Sequence, residues 1–241
     1  MANPKISIII PSYNEEEQIG DLFESIKKQK FQDYEVIVSD SGSTDNTAKI
    51  AKSYGAKVIT GPKRGPGAGR NLGAKEARGD ILVFFDADVR LVEEDILKSI
   101  EELFKRRTDV VGGTTRYGAK DGALINRLIY KIGEIVHPIF FTKGFVPGFS
   151  HFVQKESFEK IGGFNENLQA GEDIDLGSRL IKVGKMVTLK QKVLASSRRL
   201  TQLGWTEVLK TCAISAFCNI FKKNNPKSII FKPASGLKGK E

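Results

Sequence analysis

The stretch LVFFDAD at residues 82–88 joins an apolar run to two aspartates, Asp86 and Asp88. An apolar run of this length, preceded by the turn-forming pair Gly79-Asp80, is typical of a strand buried in a parallel sheet. In an open α/β sheet, ligands bind beyond the carboxyl ends of the strands, and side chains two residues apart on a strand share a face. We therefore expect both carboxylates to enter one crevice, where they favour a hard cation such as Mg²⁺ or Mn²⁺.

An isolated Asp-x-Asp triplet is weak evidence for a metal, because acidic chains produce such triplets by chance. This chain contains a second one, Asp173-Ile174-Asp175. The alternative interpretation of residues 86–88 is a polar strand end that caps the following helix. The position of the triplet, directly after a buried strand, favours the metal site.

The first 90 residues alternate between strand and helix patterns. Strands are predicted at residues 5–10, 34–39, 56–60 and 82–85, and the segments between them have helical spacing. This alternation predicts an α/β fold with a Rossmann-like, mostly parallel sheet and helices on both faces. We expect Pro11 to stop the first strand. Residues 61–69 are expected to form a flexible basic loop before a helix at residues 70–77.

The loops after the four strands are expected to line one crevice. In chain order they hold residues 11–15, Asp40, residues 63–71, and Asp86 with Asp88. Glycines in the third loop allow its backbone to approach a ligand, and Lys63, Arg64 and Arg70 can bind phosphate. The alternative for this loop is a solvated basic surface. The first loop lacks the Gly-x-Gly-x-x-Gly pattern of a dinucleotide site.

Beyond residue 90 the alternation loosens. We expect a helix at residues 93–104, a strand at 109–115 and a last short strand at 192–197. A strong apolar stripe at residues 124–136 predicts a helix whose apolar face belongs to the core.

An acidic cluster opens another predicted helix at residues 172–180. Asp175 and Arg179 are spaced i, i+4 and are expected to pair. That pairing leaves Glu172 and Asp173 free for chemistry. The alternative is that they only stabilise the helix N-terminus, where negative charge is favoured.

Apolar residues between Trp205 and Phe221 recur at intervals of three and four, which predicts an amphipathic helix, and a lysine-bearing tail follows. One interpretation packs this helix on the domain or on a partner subunit. The other makes it an interfacial helix that holds the chain at an anionic cytoplasmic membrane.

The composition narrows the class of partner. The net charge of +9 and the pI near 9.4 favour a partner that carries phosphate, or an anionic membrane. Nucleic acid is not expected, because the pattern contains no nucleic-acid-binding signature. Cys212 and Cys218 face different sides of the predicted helix and indicate free thiols in a reducing compartment. With neither a signal peptide nor an apolar run of about 20 residues, we expect a cytoplasmic protein.

Five motifs in order resemble those of the family 2 glycosyltransferases of GT-A fold. They are IIIPSYNE at 8–15, DSGSTD at 40–45, GRN at 69–71, FDAD at 85–88, and GGF at 162–164 with GED at 171–173. The resemblance covers about residues 5–200. It implies a nucleotide-sugar donor, usually linked to UDP, and transfer that inverts the anomeric centre. It also implies a catalytic domain at 1–203, with a donor half at 1–90 and an acceptor half at 91–203, before a C-terminal helix and tail at 204–241.

For the donor, the resemblance assigns a role to each motif residue. Pro11, Tyr13 and Glu15 would hold the base and the ribose. Asp40 would accept a hydrogen bond from the base ring N–H, with Arg70 beside it.

For the reacting groups, the resemblance implies that Asp86 meets the ribose and Asp88 carries the metal. Asp173 would be the catalytic base, and Glu172 would shape the site for a glycan or a lipid-linked acceptor. This chemistry suits the residue types, because a cation at Asp88 would neutralise the departing diphosphate. A single carboxylate base suffices for one-step inversion, whereas a retaining double displacement needs a second carboxylate as nucleophile.

The chain departs from the family pattern in one place. Relatives often carry a histidine after the last strand that completes the metal site, and here the segment is Ser-Ser-Arg-Arg at 196–199. We expect Arg198 or Arg199 to contact the diphosphate instead. His137 and His151 lie elsewhere and are expected to be structural.

Two other functions compete with glycosyl transfer. A sugar-phosphate nucleotidyltransferase would need a glycine-rich basic loop after the first strand, but residues 11–17 are acidic. A catalytically silent nucleotide-binding protein would not need both Asp88 and Asp173.

Overall fold

The computed structural model describes residues 3–208 except 143 and 169, together with residues 210, 211 and 214. The strands are β1 (Ile6–Ser12), β2 (Tyr34–Asp40), β3 (Lys57–Thr60), β4 (Ile81–Phe85), β5 (Val89–Leu91), β6 (Val110–Ala119), β7 (Ser150–Gln154) and β8 (Lys185–Ala195). The helices are α1 (Ile19–Lys27), α2 (Thr47–Ser53), α3 (Pro66–Lys75), α4 (Ile96–Arg106), α5 (Leu124–Phe141), α6 (Lys155–Lys160), α7 (Glu172–Leu180) and α8 (Arg198–Leu203).

Within the described residues, the eight strands form one sheet in the order β3-β2-β1-β4-β7-β6-β8-β5. The first four strands are mutually parallel, so the predicted Rossmann-like half is confirmed. Strand β7 runs antiparallel to both β4 and β6, and β5 runs antiparallel to β8, while β6 and β8 are parallel. The carboxyl ends of β1, β2 and β4 therefore meet at one edge of the sheet.

Helices cover both faces of the sheet, which explains the uninterrupted apolar runs of the central strands. Alternate residues of each strand point to opposite faces. Val83 and Phe85 of β4 pack in the core beneath α1 and α4. Leu82 and Phe84, on the opposite face, pack with residues of α3, α6 and α7.

Several boundaries differ from the sequence prediction. Pro11 does not stop β1, because the strand continues to Ser12 through pairing with β2 alone after its last pair with β4 at Ile9. The basic loop is shorter than predicted, because α3 begins at Pro66, in the first helical turn where proline is tolerated. The last strand is eleven residues long and starts at Lys185 rather than near Lys192.

The apolar stripe of α5 is not in the core, so that prediction is wrong. Leu124, Ile135 and Ile139 are 83%, 66% and 68% exposed, and the helix is buried instead at Asn126 and His137. The periodicity correctly predicted the helix and its apolar face. It could not specify what that face meets, because the helix docks through its polar and aromatic side.

The predicted C-terminal amphipathic helix lies mostly outside the described residues. Those that are described between residues 205 and 214 are helical, and Trp205 is 52% exposed. In the part of the chain that the structure describes, no helix is both long and apolar enough to cross a membrane.

Candidate active site

Two loops at the strand ends are tied to each other by side chains. Asn14, which has a positive φ of 51°, accepts a hydrogen bond from the Thr44 backbone N–H at 2.8 Å and donates its own N–H to Ser43 Oγ at 2.8 Å. The Glu15 N–H donates to Thr47 Oγ1 at 2.7 Å. Asparagine tolerates the left-handed conformation better than most residues. The motifs at 11–15 and 40–45 therefore form one wall of the candidate site.

Asp40 bonds to residues of both loops and so holds this wall together. It is buried, and its carboxylate accepts hydrogen bonds from the Ser12 hydroxyl at 3.2 Å and from the Ser43 backbone N–H at 2.9 Å. On the outer side, Lys63 Nζ lies 3.6 Å from the ring centroid of Tyr13, a cation–π contact. The predicted base-binding residues are thus neighbours.

Arg70 connects the two acidic motifs. Its side chain is only 2% exposed, and it donates to Glu172 Oε1 and Asp86 Oδ1 at 2.7 Å each and to the Gly148 carbonyl at 3.0 Å. Such charge-assisted bonds are the strong class of hydrogen bond. The Asp-x-Asp and Glu-Asp motifs, 86 residues apart between Asp86 and Glu172, therefore lie on either side of one arginine.

The close packing of α3 makes this connection possible. A Cβ atom at Gly67 would lie 3.3 Å from Glu172 Cγ, and one at Gly69 would lie 3.3 Å from Pro11 Cβ. The two glycines let the first turn of α3 approach both motifs. Glu172, which the sequence predicts to be free for chemistry, is instead bonded to Arg70. The predicted pair of Asp175 and Arg179 is confirmed at 2.5 Å.

A second ion cluster lies at the other end of the Asp-x-Asp motif. Arg198 Nη2 lies 2.6 Å from Glu15 Oε2 and 3.4 Å from Asp88 Oδ2. Burial raises the pKa of Asp88 to about 6, and the charge of Asp86 adds to this rise. Burial also raises the pKa of Glu15 to about 7, with Arg198 opposing the shift and Asp88 reinforcing it. Arg198, predicted to contact the diphosphate, thus lies beside the Asp-x-Asp motif, and its pairing with Glu15 was not predicted.

Asp173 lies beside Glu172 at the start of α7, under the loop that precedes β7. A Cβ atom at Gly148 would lie 3.0 Å from Asp173 Oδ2, and the Ile174 backbone N–H donates to Asp173 Oδ1 at 2.9 Å. Burial and the neighbouring charge of Glu172 raise the pKa of Asp173 to about 7, against the opposing charge of Arg70. This carboxylate is therefore poised to exchange a proton near neutral pH.

The two histidines are buried, as expected of structural residues. Burial lowers the pKa of His137, and burial together with the charge of Arg70 lowers the pKa of His151. Both rings are therefore neutral at pH 7.

The residues at the Asp-x-Asp motif fit a divalent cation whose remaining ligands would come from the substrate and water. Among the described residues, no three His, Cys, Asp or Glu side chains come together as a complete metal site. Asp86 and Asp88 nevertheless both have raised pKa values, caused chiefly by burial, and they lie within electrostatic range of each other. Mg²⁺ and Mn²⁺ commonly use only one or two carboxylates and take their other ligands from phosphate and water.

The mixed eight-stranded sheet, with the two acidic motifs held together beside it, belongs to the GT-A type of α/β fold. A family model described as glycosyl transferase family 2 matches residues 7–162, and the chain belongs to this family.

Curated relatives and solved structures agree with this class. The chain is 26% identical over 200 residues to the glycosyltransferase AglE of Haloferax volcanii, covering 79% of this chain and 66% of that protein. It is 37% identical over 133 residues to a dolichol-phosphate mannosyltransferase of Pyrococcus furiosus, covering 53% of this chain and 37% of that protein. The chain thus matches less than two thirds of the length of these two relatives.

Among solved structures, the mannosyltransferase PcManGT of Pyrobaculum calidifontis has a TM-score of 0.71 and 19% identity, covering 98% of this chain and 68% of that one. TarS of S. aureus has a TM-score of 0.66 and 21% identity, covering 90% and 72% of the two chains. At identities this low, the structural similarity establishes a shared fold only.

Proposed function

We propose that this chain transfers a sugar from a nucleotide-diphosphate donor, UDP-linked, to an acceptor hydroxyl with inversion at the anomeric carbon. The observation that carries the proposal is the pair of 2.7 Å bonds from Arg70 to Asp86 and Glu172. They hold a donor-side acidic motif and an acceptor-side acidic motif against one cleft. The structure of PcManGT is of a complex with GDP-Man and Mn²⁺, and one structure of TarS is of a complex with UDP-GlcNAc, which supports a nucleotide-sugar donor here.

On the donor side, the wall formed by residues 11–15 and 40–45 suits a nucleoside. Asp40 is already bonded to Ser12 and Ser43, so it is held rigidly for a base ring N–H. Pro11, Tyr13 and Glu15 belong to the same wall and are the proposed partners of the base and the ribose. Asp86 is 33% exposed beyond its bond to Arg70, which leaves it accessible to a ribose hydroxyl.

At the diphosphate, Asp88 is the proposed metal ligand, and Arg198 and Arg199 are proposed partners of the phosphate oxygens. A bound Mn²⁺ or Mg²⁺ would supply positive charge to the leaving diphosphate. Arg198 is partly exposed and bonded to carboxylates that a cation would neutralise. It is thereby available to contact phosphate when donor binds.

Asp173 is the proposed general base. A base with a pKa of about 7 is matched to a neutral operating pH, where it can remove the proton of an attacking hydroxyl. Glu172 is held by its bond to Arg70 and is not available as a second nucleophile, which favours single displacement over a retaining mechanism. Glu172 instead fixes the start of α7, and through it the acceptor side of the cleft.

The acceptor is proposed to be a glycan or a lipid-linked intermediate at the cytoplasmic face of a membrane. The basic C-terminal segment, with lysines at 222, 223, 227, 232, 238 and 240, would be drawn to anionic lipid there. Removal of residues 204–241 should then reduce vesicle binding.

The test is donor binding and transfer across a panel of nucleotide sugars, with and without Mn²⁺. We expect Asp173→Asn to bind donor as the wild type does and to lose transfer by about 10²–10⁴-fold. The matched control is Asp175→Asn on the same helix, which breaks a partly exposed pair with Arg179 and should keep transfer. Asp88→Ala should lose the Mn²⁺-dependent part of donor binding. Wild-type transfer by Asp173→Asn would show that the base is assigned wrongly.

A further inference from the structure

The exposed face of α5 is a large unpartnered apolar surface. Its side chains recur at helical spacing along one side of the 18-residue helix and are each more than half exposed: Leu124, Ile125, Leu128, Ile132, Ile135 and Ile139. Scattered single apolar residues on a surface are normal, but a contiguous apolar patch marks a site of interaction. We propose that this face of α5 docks on an anionic lipid bilayer.

The opposite side of α5 is firmly attached to the domain, so the apolar face is presented on a rigid element. Asn126 donates to Ser197 Oγ at 3.2 Å and to Thr201 Oγ1 at 3.0 Å, and the Tyr130 hydroxyl donates to the Ser196 carbonyl at 3.0 Å. The helix therefore buries its polar and aromatic residues and leaves its aliphatic ones outside. A helix that packs on a hydrophobic core does the reverse and buries its aliphatic face.

The charges beside the patch select the partner. Arg127 and Lys131 are exposed and, at i, i+4 spacing, lie along one edge of the apolar stripe. The single acidic residue of α5, Glu134, is bonded to Arg116 at 2.9 Å and to Lys192 at 3.1 Å. An apolar stripe with a basic border is the pattern of a helix lying in an anionic interface, with its long cationic side chains reaching the headgroups.

The same charges disfavour the two other occupants that the chain itself could offer. A second copy would bring its own Arg127 and Lys131 to the interface, where α5 has only the already bonded Glu134 to receive them. The lysine-bearing tail at residues 222–241 contains six lysines and one glutamate. Basic groups on both sides repel each other, whereas an anionic bilayer attracts both.

The position of α5 gives the docking a use, and this step rests on the proposed function. Tyr130, on the buried side of α5, packs against Phe149 with 6.2 Å between the ring centroids, and the charge of Asp88 is second to burial in raising its pKa. The helix thus runs beside the cleft that holds the Asp-x-Asp motif. A bilayer on its outer face would bring an acceptor hydroxyl on a lipid headgroup alongside the reacting groups.

The experiment is sedimentation of the full chain with vesicles of phosphatidylcholine, with and without phosphatidylglycerol, in the absence of donor. The variant is Leu128→Gln with Ile132→Gln and Ile135→Gln, three residues at least half exposed, so the fold should be retained. We expect it to bind phosphatidylglycerol vesicles about tenfold more weakly or worse. Arg127→Gln with Lys131→Gln should reduce the part of binding that depends on phosphatidylglycerol, and the lysines of the C-terminal tail should keep the rest.

Two controls make the outcome decisive. Val92→Gln changes a 49% exposed apolar residue outside α5 and should bind as the wild type does. Asp173→Asn should also bind normally, so inactivity and loss of docking are separable. Unchanged binding by the triple α5 variant, or loss of binding only in Trp205→Gln, would overturn the proposal. So would a dimer in vesicle-free solution that the triple variant abolishes.

Discussion

Two arginines bring positive charge into the same cleft, but their surroundings differ. Arg70 is 2% exposed and is fixed by bonds of 2.7 Å to both Asp86 and Glu172. Arg198 is 19% exposed and has one short contact, to Glu15 at 2.6 Å, and one long contact, to Asp88 at 3.4 Å. Both have raised pKa values because carboxylates surround them.

The difference indicates that the two arginines have different roles. Arg70 is fully desolvated and joins three parts of the chain, α3, the end of β4 and the start of α7. Arg198 lies on a short helix at the edge of the cleft and shares its charge between two carboxylates that a donor and a cation would reach. We infer that Arg70 builds the site and that Arg198 changes partner when the site fills.

The largest expected effect comes from Arg70→Ala. Removal of one partner from a buried charge network leaves uncompensated carboxylates and typically costs about 3–5 kcal/mol of stability. We expect a loss of that order in the free energy of unfolding, measured by urea denaturation. The matched control is Arg198→Ala, which removes the same charge from a more exposed position and should cost less than Arg70→Ala does.

Arg70→Lys sharpens the same comparison. A lysine keeps the charge but lacks the planar fork that reaches two carboxylates at once. It should recover only part of the stability lost in Arg70→Ala. Equal stabilities of the Arg70→Ala and Arg198→Ala variants would contradict the distinction between the two arginines.

The parallel half of the fold follows from local patterns in the sequence. Residues of β4 such as Phe84 and Phe85 belong to a short apolar run bounded by turn-forming residues, which is typical of a strand buried on both faces. Asp86 and Asp88 were placed at the end of this strand by chain order alone. The motif residues that lie within a few positions of a strand end were therefore predictable.

The connections between distant segments were not predictable in this way. Arg70 and Glu172 are 102 residues apart, and Glu15 and Arg198 are 183 residues apart. No periodicity relates such positions, and only the folded topology decides which arginine meets which carboxylate. The α5 stripe illustrates the same limit. Its spacing predicts an apolar face but does not indicate whether protein or lipid covers that face.

A medium effect is expected from Arg198→Ala combined with Arg199→Ala. If these side chains contact the diphosphate, removing two charged contacts should weaken donor binding by about tenfold. Stability should stay nearly unchanged, in contrast to the Arg70 variants. Calorimetric titration with a nucleoside diphosphate in Mn²⁺ measures the effect. Wild-type donor affinity and turnover in this double variant would remove the arginines from the diphosphate site.

The smallest expected effect concerns Asp173, which lies beside the Arg70 cluster without sharing its bonds. The pKa of Asp173 rises from 3.8 to about 7, chiefly by burial. The unfolded carboxyl ionises first as the pH rises, so the folded state loses stability between those two values and the loss is complete above about pH 7. Asp173→Asn has no such charge and should be more stable than the wild type at about pH 8, by about 1 kcal/mol after allowance for solvent screening.

Urea denaturation of both proteins at about pH 8 and about pH 4 measures this difference, which should shrink toward zero at the lower pH. Asp175→Asn serves as the control, because it removes a carboxylate that Arg179 already compensates and should gain no stability at the higher pH. A gain in Asp173→Asn would mean that the cleft holds its base at a cost in stability that Arg70 does not relieve. Equal stability of Asp173→Asn and the wild type at the higher pH would mean instead that Arg70 already compensates Asp173, and the division between a structural cluster and a reactive carboxylate would then fail.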